Sequence, residues 1–155
     1  MKVNEGRFAQ TFRGIQRRFS ALYARFLEKE AMTLTQYTLL NLLNDTGKMS
    51  MREASDRLHI TKPAVTYIAD QLEQRGFLKR LNRPEDRRVF LLEIQARGRR
   101  MVERAQELSL KILMETLESF NEKEKEAVGK FYDLLSVNMD GVLFGSAKKG
   151  KTKSV

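Results

Sequence analysis

The 155-residue sequence contains no cysteine, a single histidine and only two prolines. Without cysteine, the chain cannot form a disulfide, a thiolate metal site or a thiol-based redox sensor. One histidine, His59, makes a histidine-rich metal centre or a His-dependent catalytic triad improbable. No stretch approaches the roughly 18 uncharged residues of a membrane-spanning helix, and residues 1–7 lack the apolar run of a signal peptide. We therefore expect no metal, no cofactor, no membrane association and a cytoplasmic location.

Basic side chains outnumber acidic ones by 29 to 20, which gives a formal net charge of +9 at pH 7. Such an excess favours a polyanionic partner, either nucleic acid or a membrane surface. The charge is uneven, because residues 50–100 hold 12 basic and 7 acidic side chains whereas residues 101–140 hold 5 and 9. This split predicts that one part of the chain faces phosphate and another faces solvent or a protein partner.

Apolar residues near the N-terminus recur at intervals of four and three, which is the periodicity of a helix. The stripe consists of Phe8, Phe12, Ile15, Phe19, Leu22 and Phe26. Because the stripe is narrow, like a helix-pairing seam, we expect this helix to meet a second subunit. Similar spacings predict a helix capped by Thr35 and stopped at Gly47, a long helix over residues 96–120, and a last helix capped by Asn121.

Two short helices joined by a tight turn are predicted in the basic middle of the chain. Ser50 and Glu53 fit a capping box for the first helix, and Thr61 caps the second. The second helix has Pro63 in its first turn, where a missing N–H costs nothing. If its apolar residues Val65, Ile68 and Leu72 point inward, an outward face remains, consisting of Lys62, Pro63, Thr66, Tyr67 and Asp70. This pair of helices is a helix-turn-helix candidate.

A hairpin follows the two helices directly. Residues 77–81 and 89–94 are rich in β-branched and aromatic side chains, and residues 82–88 between them form a polar turn that contains a proline. The tip of this hairpin holds Arg83, Arg87 and Arg88. A basic hairpin directly after a helix-turn-helix is a wing.

The order of these elements and the local residues together resemble the MarR family of bacterial and archaeal transcription regulators, over roughly residues 5–140. The most specific match is Arg83-Pro84-Glu85-Asp86-Arg87-Arg88, followed by Leu91-Leu92-Glu93-Ile94-Gln95-Ala96-Arg97-Gly98, which is similar to the family's wing signature. One departure is Gln95, which stands where the family has a threonine. Because glutamine is a poorer cap, we expect the start of the following helix to fray or shift.

The resemblance implies a mostly α (α+β) fold, with a winged helix-turn-helix lobe between N- and C-terminal dimerisation helices. It further implies a homodimer on double-stranded DNA, with one reading helix and one wing at each half-site. We therefore predict an N-terminal dimerisation helix in residues 1–30, the winged lobe in residues 31–96, C-terminal dimerisation helices in residues 97–144, and a basic disordered tail in residues 145–155.

We expect the second helix of the pair to read the major groove and the wing to enter the minor groove. By the family's pattern, Arg88 reaches into the minor groove and is held by an ion pair with Asp86. The other candidates for contacts with bases or phosphates are Ser50, Arg52, Thr61, Lys62, Pro63, Thr66, Tyr67, Arg83 and Arg87.

Members of the family often bind small aromatic acids or other lipophilic compounds in a crevice beside the dimerisation helices. Aromatic side chains near a basic residue indicate a candidate crevice here, formed by Phe12, Arg17, Phe19, Tyr23 and Tyr37. We therefore hypothesise, from the resemblance, that the protein binds a small-molecule effector.

Two function classes stay open. The first is a sequence-specific dimeric transcription regulator, which we expect to be a repressor. The second is a winged-helix module that binds nucleic acid non-specifically or contacts another protein. An enzyme is not expected, because the sequence shows no nucleophile–base pair, no phosphate-binding glycine loop and no cluster of metal ligands.

Overall fold

The structure is a computed structural model that describes the backbone of residues 4–83 and 86–144, and the side chains of these residues except 83–89 and 144. The predicted basic tail, residues 145–155, lies outside the described residues. The described chain is mostly helical with a small antiparallel sheet, which confirms the expected fold class. Its elements in chain order are α1 (Glu5–Lys29), α2 (Leu34–Thr46), β1 (Lys48–Ser50), α3 (Met51–Leu58), α4 (Lys62–Gln74), β2 (Leu78–Arg83), β3 (Asp86–Ile94), α5 (Ala96–Leu117) and α6 (Glu122–Phe144).

Capping side chains fix the starts of most helices. At α3, the Glu53 N–H donates to the Ser50 hydroxyl at 3.2 Å, and the Ser50 N–H donates to the Glu53 carboxylate at 2.7 Å. At α4, the Ala64 N–H donates to the Thr61 hydroxyl at 3.4 Å. Asn121 caps α6 in the same reciprocal way with Glu124. These caps confirm the starts that the sequence predicted for α3, α4 and α6.

The predicted cap of α2 was wrong, because Thr33 rather than Thr35 occupies that position. The Gln36 N–H donates to the Thr33 hydroxyl at 3.2 Å, and the Thr33 N–H donates to the Gln36 side-chain oxygen at 2.8 Å. A capping box needs its glutamine three residues after the cap, and Gln36 stands at that distance from Thr33. Thr35 therefore lies within the first turn of the helix.

The sheet has the strand order β1-β3-β2, with both pairs antiparallel. The sequence did not predict β1. This strand pairs with β3, so that Lys48 lies opposite Glu93 and Met49 opposite Leu92. β2 and β3 are longer than the predicted strands 77–81 and 89–94, since their pairing continues to Arg83 and Asp86, with a register shift after Asn82. The predicted polar turn over residues 82–88 is therefore shorter than expected, and its residues 84 and 85 lie outside the described residues.

Helix α5 begins at Ala96, so Gln95 does not shift its start, contrary to the expectation from the family's threonine. The Gln95 backbone N–H donates to the Phe77 carbonyl at 2.9 Å, which ties the helix start to the end of the preceding lobe. Gly98 allows this close approach. A Cβ at that position would collide with the Phe77 carbonyl oxygen and lie 2.7 Å from the Ile94 side chain.

The chain divides into two compact units, Met1–Ser109 and Leu110–Val155. The first unit contains a continuous apolar core in which nine large side chains are fully buried: Leu39, Leu40, Leu43, Val65, Leu72, Leu78, Leu92, Ile94 and Val102. Val65 and Leu72 are buried and Ile68 is half-buried, so the predicted inward face of α4 is confirmed. In the second unit, none of the described residues is buried.

Candidate nucleic-acid interface

A short corner joins α3 to α4 and is held by local hydrogen bonds. His59 ends α3 in a left-handed conformation with φ 53°, and its side chain is exposed. The Ser55 hydroxyl donates to the Ile60 carbonyl at 2.6 Å, and the Ile60 N–H donates to the Ser55 carbonyl at 3.2 Å. With Thr61 capping α4 directly afterwards, the corner fixes the angle at which α4 leaves α3.

The first two turns of α4 carry an exposed set of side chains, consisting of Lys62, Pro63, Thr66 and Tyr67. Tyr67 is 64% exposed, which is unusual for so large an aromatic side chain on a rigid helix. The Thr66 hydroxyl donates to the Lys62 carbonyl at 3.1 Å, so its oxygen can still accept a hydrogen bond and its methyl group is free for an apolar contact. This surface combines a cation, a phenol and small apolar groups.

The other predicted contact residues of the helix pair lie at helix starts. The hydroxyls of Ser50 and Thr61 act as the caps of α3 and α4. Arg52 lies in the first turn of α3 with an 80% exposed side chain, and its ion pair with Asp56 is long at 3.9 Å. A pair this long and exposed contributes little, so the Arg52 guanidinium remains available to an anion.

The wing is described only as backbone at its tip. Arg83 pairs with Asp86 in the β2–β3 ladder, and residues 87 and 88 continue β3. The side chains of Arg83, Asp86, Arg87 and Arg88 lie outside the described residues. Their contacts with DNA, and the ion pair between Asp86 and Arg88, stay predictions.

Arg80 connects the wing to α4, and sequence reasoning missed this residue. Its guanidinium forms an ion pair with Asp70 and donates to the Thr66 carbonyl at 3.0 Å. Its backbone N–H donates to the Glu73 carboxylate at 2.7 Å. Asp70, which we expected on a free outward face, is therefore neutralised by Arg80. The contact fixes β2 against the side of α4 next to its exposed residues.

An apolar cleft of about 420 Å³ lies between α1 and α2. We call it the aromatic cleft, and it is lined by Phe19, Ser20, Tyr23, Ala24, Leu27, Leu34 and Tyr37. The structure therefore brings together three of the five residues that the sequence singled out for a crevice. Phe12 and Arg17 do not line the cleft, and both side chains are exposed on α1.

Two tyrosines define the polar part of the aromatic cleft. The ring centroids of Tyr23 and Tyr37 are 6.0 Å apart, and the Tyr23 and Ser109 hydroxyls are hydrogen-bonded at 3.1 Å. Burial raises the pKa of the Tyr37 hydroxyl, and the neighbouring Tyr23 and Asp45 add to this effect. Tyr37 is therefore a neutral phenol at physiological pH and can donate a hydrogen bond inside the cleft.

Where side chains are described, no histidine–carboxylate cluster is large enough to hold a metal ion. Among the helices of the described ranges, none has the length and apolarity to span a bilayer.

Residues 32–90 match the family model described as MarR family. The transcriptional regulator MhqR of Bacillus subtilis is 30% identical over 74 residues, which cover 48% of this chain and 51% of that protein. The transcriptional repressor MdtR of the same organism is 33% identical over 72 residues, which cover 46% of each chain. The chain thus spans about half the length of these curated relatives.

The fold is also similar to a solved complex, that of a mutant of MepR from S. aureus bound to an oligodeoxyribonucleotide. The two chains share a TM-score of 0.69 and 20% identity, over 84% of this chain and 96% of that one. Both curated relatives are named as transcriptional regulators. Residues 32–90 are thus similar to the MarR family, and the fold is similar to that of MepR.

Proposed function

We propose that the protein is a sequence-specific, homodimeric, DNA-binding transcription regulator that acts as a repressor. The observation that carries this proposal is the exposed start of α4, where Lys62, Pro63, Thr66 and Tyr67 project from a capped helix. The name of MdtR as a repressor and the bound oligonucleotide of MepR support it. DNA as the partner implies a cytoplasmic location.

In this proposal the first two turns of α4 enter the major groove and read base edges. Lys62 reaches a guanine edge or a phosphate, while the methyl group of Thr66 and the ring of Pro63 contact thymine methyl groups. Tyr67 adds a hydroxyl that can donate to or accept from a base. Ser50, Arg52 and Thr61 contact the phosphates and set the register of the helix on the duplex.

The wing acts in the neighbouring minor groove. Arg88 enters the groove, where the negative potential is concentrated, and Asp86 orients its guanidinium. Arg83 and Arg87 contact the phosphates on either side. Because Arg80 fixes β2 to α4 through Asp70, the reading helix and the wing approach the duplex as one unit.

A second copy of the chain covers the apolar side chains that a monomer leaves exposed. In α1 these are Phe8, Phe12 and Ile15, and in α6 they include Leu134 and Val137. Exposed apolar patches of this kind mark association surfaces. Residues 1–30 and 97–144 then supply the dimerisation helices, and residues 31–96 form the DNA-binding lobe.

The test is DNA binding after selection of bound fragments from the source genome. Tyr67→Ala should reduce the preference for the selected duplex over a scrambled one about tenfold, because one base contact is lost. Arg88→Ala should weaken binding about tenfold. Gln74→Ala, at the opposite end of α4, is the matched control and should bind as the wild type does. Wild-type affinity in both variants would reject the proposal.

The net charge of +9 supports a second candidate, a module that binds nucleic acid without sequence preference. That module would show a steep salt dependence and nearly equal affinity for all sequences. Competition between the selected duplex and random DNA at fixed salt separates the two functions. A regulator resists the competitor, whereas a non-specific module loses the labelled duplex in proportion to the competitor's length.

We further propose that the aromatic cleft binds a small aromatic or lipophilic effector. The support is an apolar lining into which the neutral phenol of Tyr37 can donate a hydrogen bond, which suits an aromatic ring that carries a hydrogen-bond acceptor. The effector regulates DNA binding only if it binds the free and the DNA-bound conformations unequally. Leu34 and Tyr37 of the lining lie on α2, which packs beside α3 of the reading pair.

Calorimetry with a panel of phenolic acids tests the effector site. Tyr37→Ala should abolish the binding heat of any compound that binds the wild type. Tyr67→Ala is the matched control, since it removes a tyrosine from the DNA-reading surface and should leave the heat intact. Unchanged heats in Tyr37→Ala would remove the site.

A further inference from the structure

A second cleft, also of about 420 Å³, is lined mainly by cations. It lies where the end of α1, the C-terminal end of α4 and the first turns of α5 meet. Five basic side chains surround it, against one carboxylate, that of Glu30; the five are Lys29, Arg75, Arg97, Arg100 and Arg104. We call it the basic cleft, and it shares no lining residue with the aromatic cleft.

Two of the five cations, Arg75 and Arg104, bind groups at the end of α1. Arg75 donates to the Glu30 and Ala31 carbonyls at 2.7 Å each, and so satisfies oxygens at the C-terminal end of α1. Arg104 forms an ion pair with the Glu30 carboxylate at 2.7 Å and lies over the Phe26 ring. The single carboxylate of the cleft is thereby already neutralised.

The other three cations have no carboxylate partner among the described side chains. Arg97 donates one hydrogen bond to the Arg75 carbonyl at 2.9 Å, and Lys29 and Arg100 form no ion pair there. The buried ring of Phe77 has the guanidinium carbons of Arg75 and Arg97 4.8 Å from its centroid. Cation–π contacts with this fixed ring hold two of the guanidinium groups in place beside the cavity.

We propose that the basic cleft binds a small organic anion that carries at least two negative charges, as a phosphate ester or a polycarboxylate does. The like charges of Lys29, Arg97 and Arg100 repel one another, and an anion between them relieves that repulsion. Guanidinium groups bind planar or tetrahedral oxyanions through paired hydrogen bonds, which suits both kinds of ligand. The cavity has the size of a small-molecule site and is larger than a single inorganic ion requires.

The basic cleft is remote from the proposed DNA-reading surface. Arg75 follows the last residue of α4, whereas Lys62 begins the helix, and 13 helical residues span about 20 Å. An anion in the cleft therefore does not occupy the place of a DNA phosphate. The protein should bind the anion and a duplex at the same time.

Calorimetric titration of the full chain with pyrophosphate and with citrate, at constant ionic strength, tests the site. The double variant Arg97→Gln/Arg100→Gln should weaken binding at least tenfold, because two charge-assisted contacts are lost. Its control is Arg7→Gln/Arg13→Gln, which removes the same charge from exposed positions in the first half of α1 and should bind as the wild type does. Lys29→Gln, a single change at the end of α1, should weaken binding severalfold.

The two probes distinguish the ligand classes, since tighter binding of pyrophosphate indicates a phosphate ester and tighter binding of citrate a polycarboxylate. Equal weakening of anion binding in the control variant would show that the loss depends only on net charge, and would overturn the site. A repeat titration in saturating duplex DNA should give the same affinity, and complete displacement by the duplex would overturn it as well. The titration without DNA needs no operator, so its result does not depend on the proposed regulatory function.

Discussion

The two units of the chain differ in how far they bury their apolar side chains. In Met1–Ser109, helices and sheet enclose a core in which Leu39, Leu40 and Leu72 are fully buried. In Leu110–Val155, the described residues include no buried side chain, although the unit is rich in leucine, valine and phenylalanine. Leu134 is 56% exposed and Val137 67%. The first unit has completed its core within one chain, and the second has not.

The apolar side chains of α6 are not confined to one stripe. At 100° per residue, Phe131, Leu134 and Val137 lie on one side of the helix, and Tyr132, Met139 and Leu143 on the opposite side. A helix with apolar side chains on two sides can bury both of them against other helices. The comparison therefore supports a second chain as the element that completes this unit in the proposed homodimer.

The largest effect is expected from placing a charge among the exposed apolar side chains of α6. Leu134→Glu should raise the dissociation constant of the dimer at least about 100-fold, because a carboxylate would be buried without a partner. Sedimentation velocity measures the change, and the wild type should sediment as a dimer. Ser119→Glu adds the same charge in the exposed turn before α6 and should leave the dimer intact. A wild-type chain that sediments as a monomer would contradict the comparison.

A smaller effect on stability is expected when one glycine in each unit is replaced by alanine. Gly98→Ala should destabilise the first unit by about 1–3 kcal/mol, since the new Cβ collides with the Phe77 carbonyl and Ile94. Gly129→Ala in α6 has no atom within 4 Å of the new Cβ and should be neutral or stabilising by up to about 1 kcal/mol. Denaturant unfolding measures both variants. Equal losses of stability in the two variants would show that the close packing around Gly98 does not determine the cost of an added Cβ.

The smallest effect concerns the sheet of the first unit and depends on pH. Lys79 and Lys48 bind the Glu93 carboxylate at 2.7 and 3.0 Å, and these contacts lower the pKa of Glu93 to about 2 from its ordinary 4.5. Their contribution is therefore complete above pH 4.5 and is lost as the pH falls toward 2.

Melting temperatures of the wild type and Glu93→Gln test this ion-pair cluster. The difference between the two should be largest at pH 7 and should shrink between pH 4.5 and pH 2, because protonated glutamic acid and glutamine are then alike. A difference that does not change over this range would show that the lysine contacts contribute nothing. Lys111→Gln, whose long ion pair on α5 is exposed, should follow the wild type throughout.

Local signals were enough to predict most of the helices and the helix-turn-helix. The boxes at Ser50 and Asn121 and the cap at Thr61 each depend on residues no more than three apart, so they can be recognised in a sequence. The same rule, applied to Gln36, would have identified Thr33 rather than Thr35. Thr35 was predicted as the cap from its own side chain alone, without regard to the residue three positions later.

Features that depend on tertiary contacts could not be predicted in this way. β1 has three residues, too few for any periodicity, and it forms because Lys48 can pair with Glu93 more than 40 residues away. The contact of Arg80 with Asp70 and the convergence of Arg75, Arg97 and Lys29 likewise require the folded lobe. Aromatic clustering predicted Phe19, Tyr23 and Tyr37 together, but it also included Phe12 and Arg17, which point elsewhere on α1.

Hydroxyl-radical footprinting on a duplex selected from the source genome tests the central claim most directly. Two copies of α4 in a symmetric dimer should protect two stretches of DNA whose centres lie about one helical turn apart, each with an adjoining protected minor groove. Tyr67→Ala should weaken both stretches equally. A single protected stretch, or uniform protection that follows salt concentration alone, would contradict a dimeric regulator that reads sequence through α4.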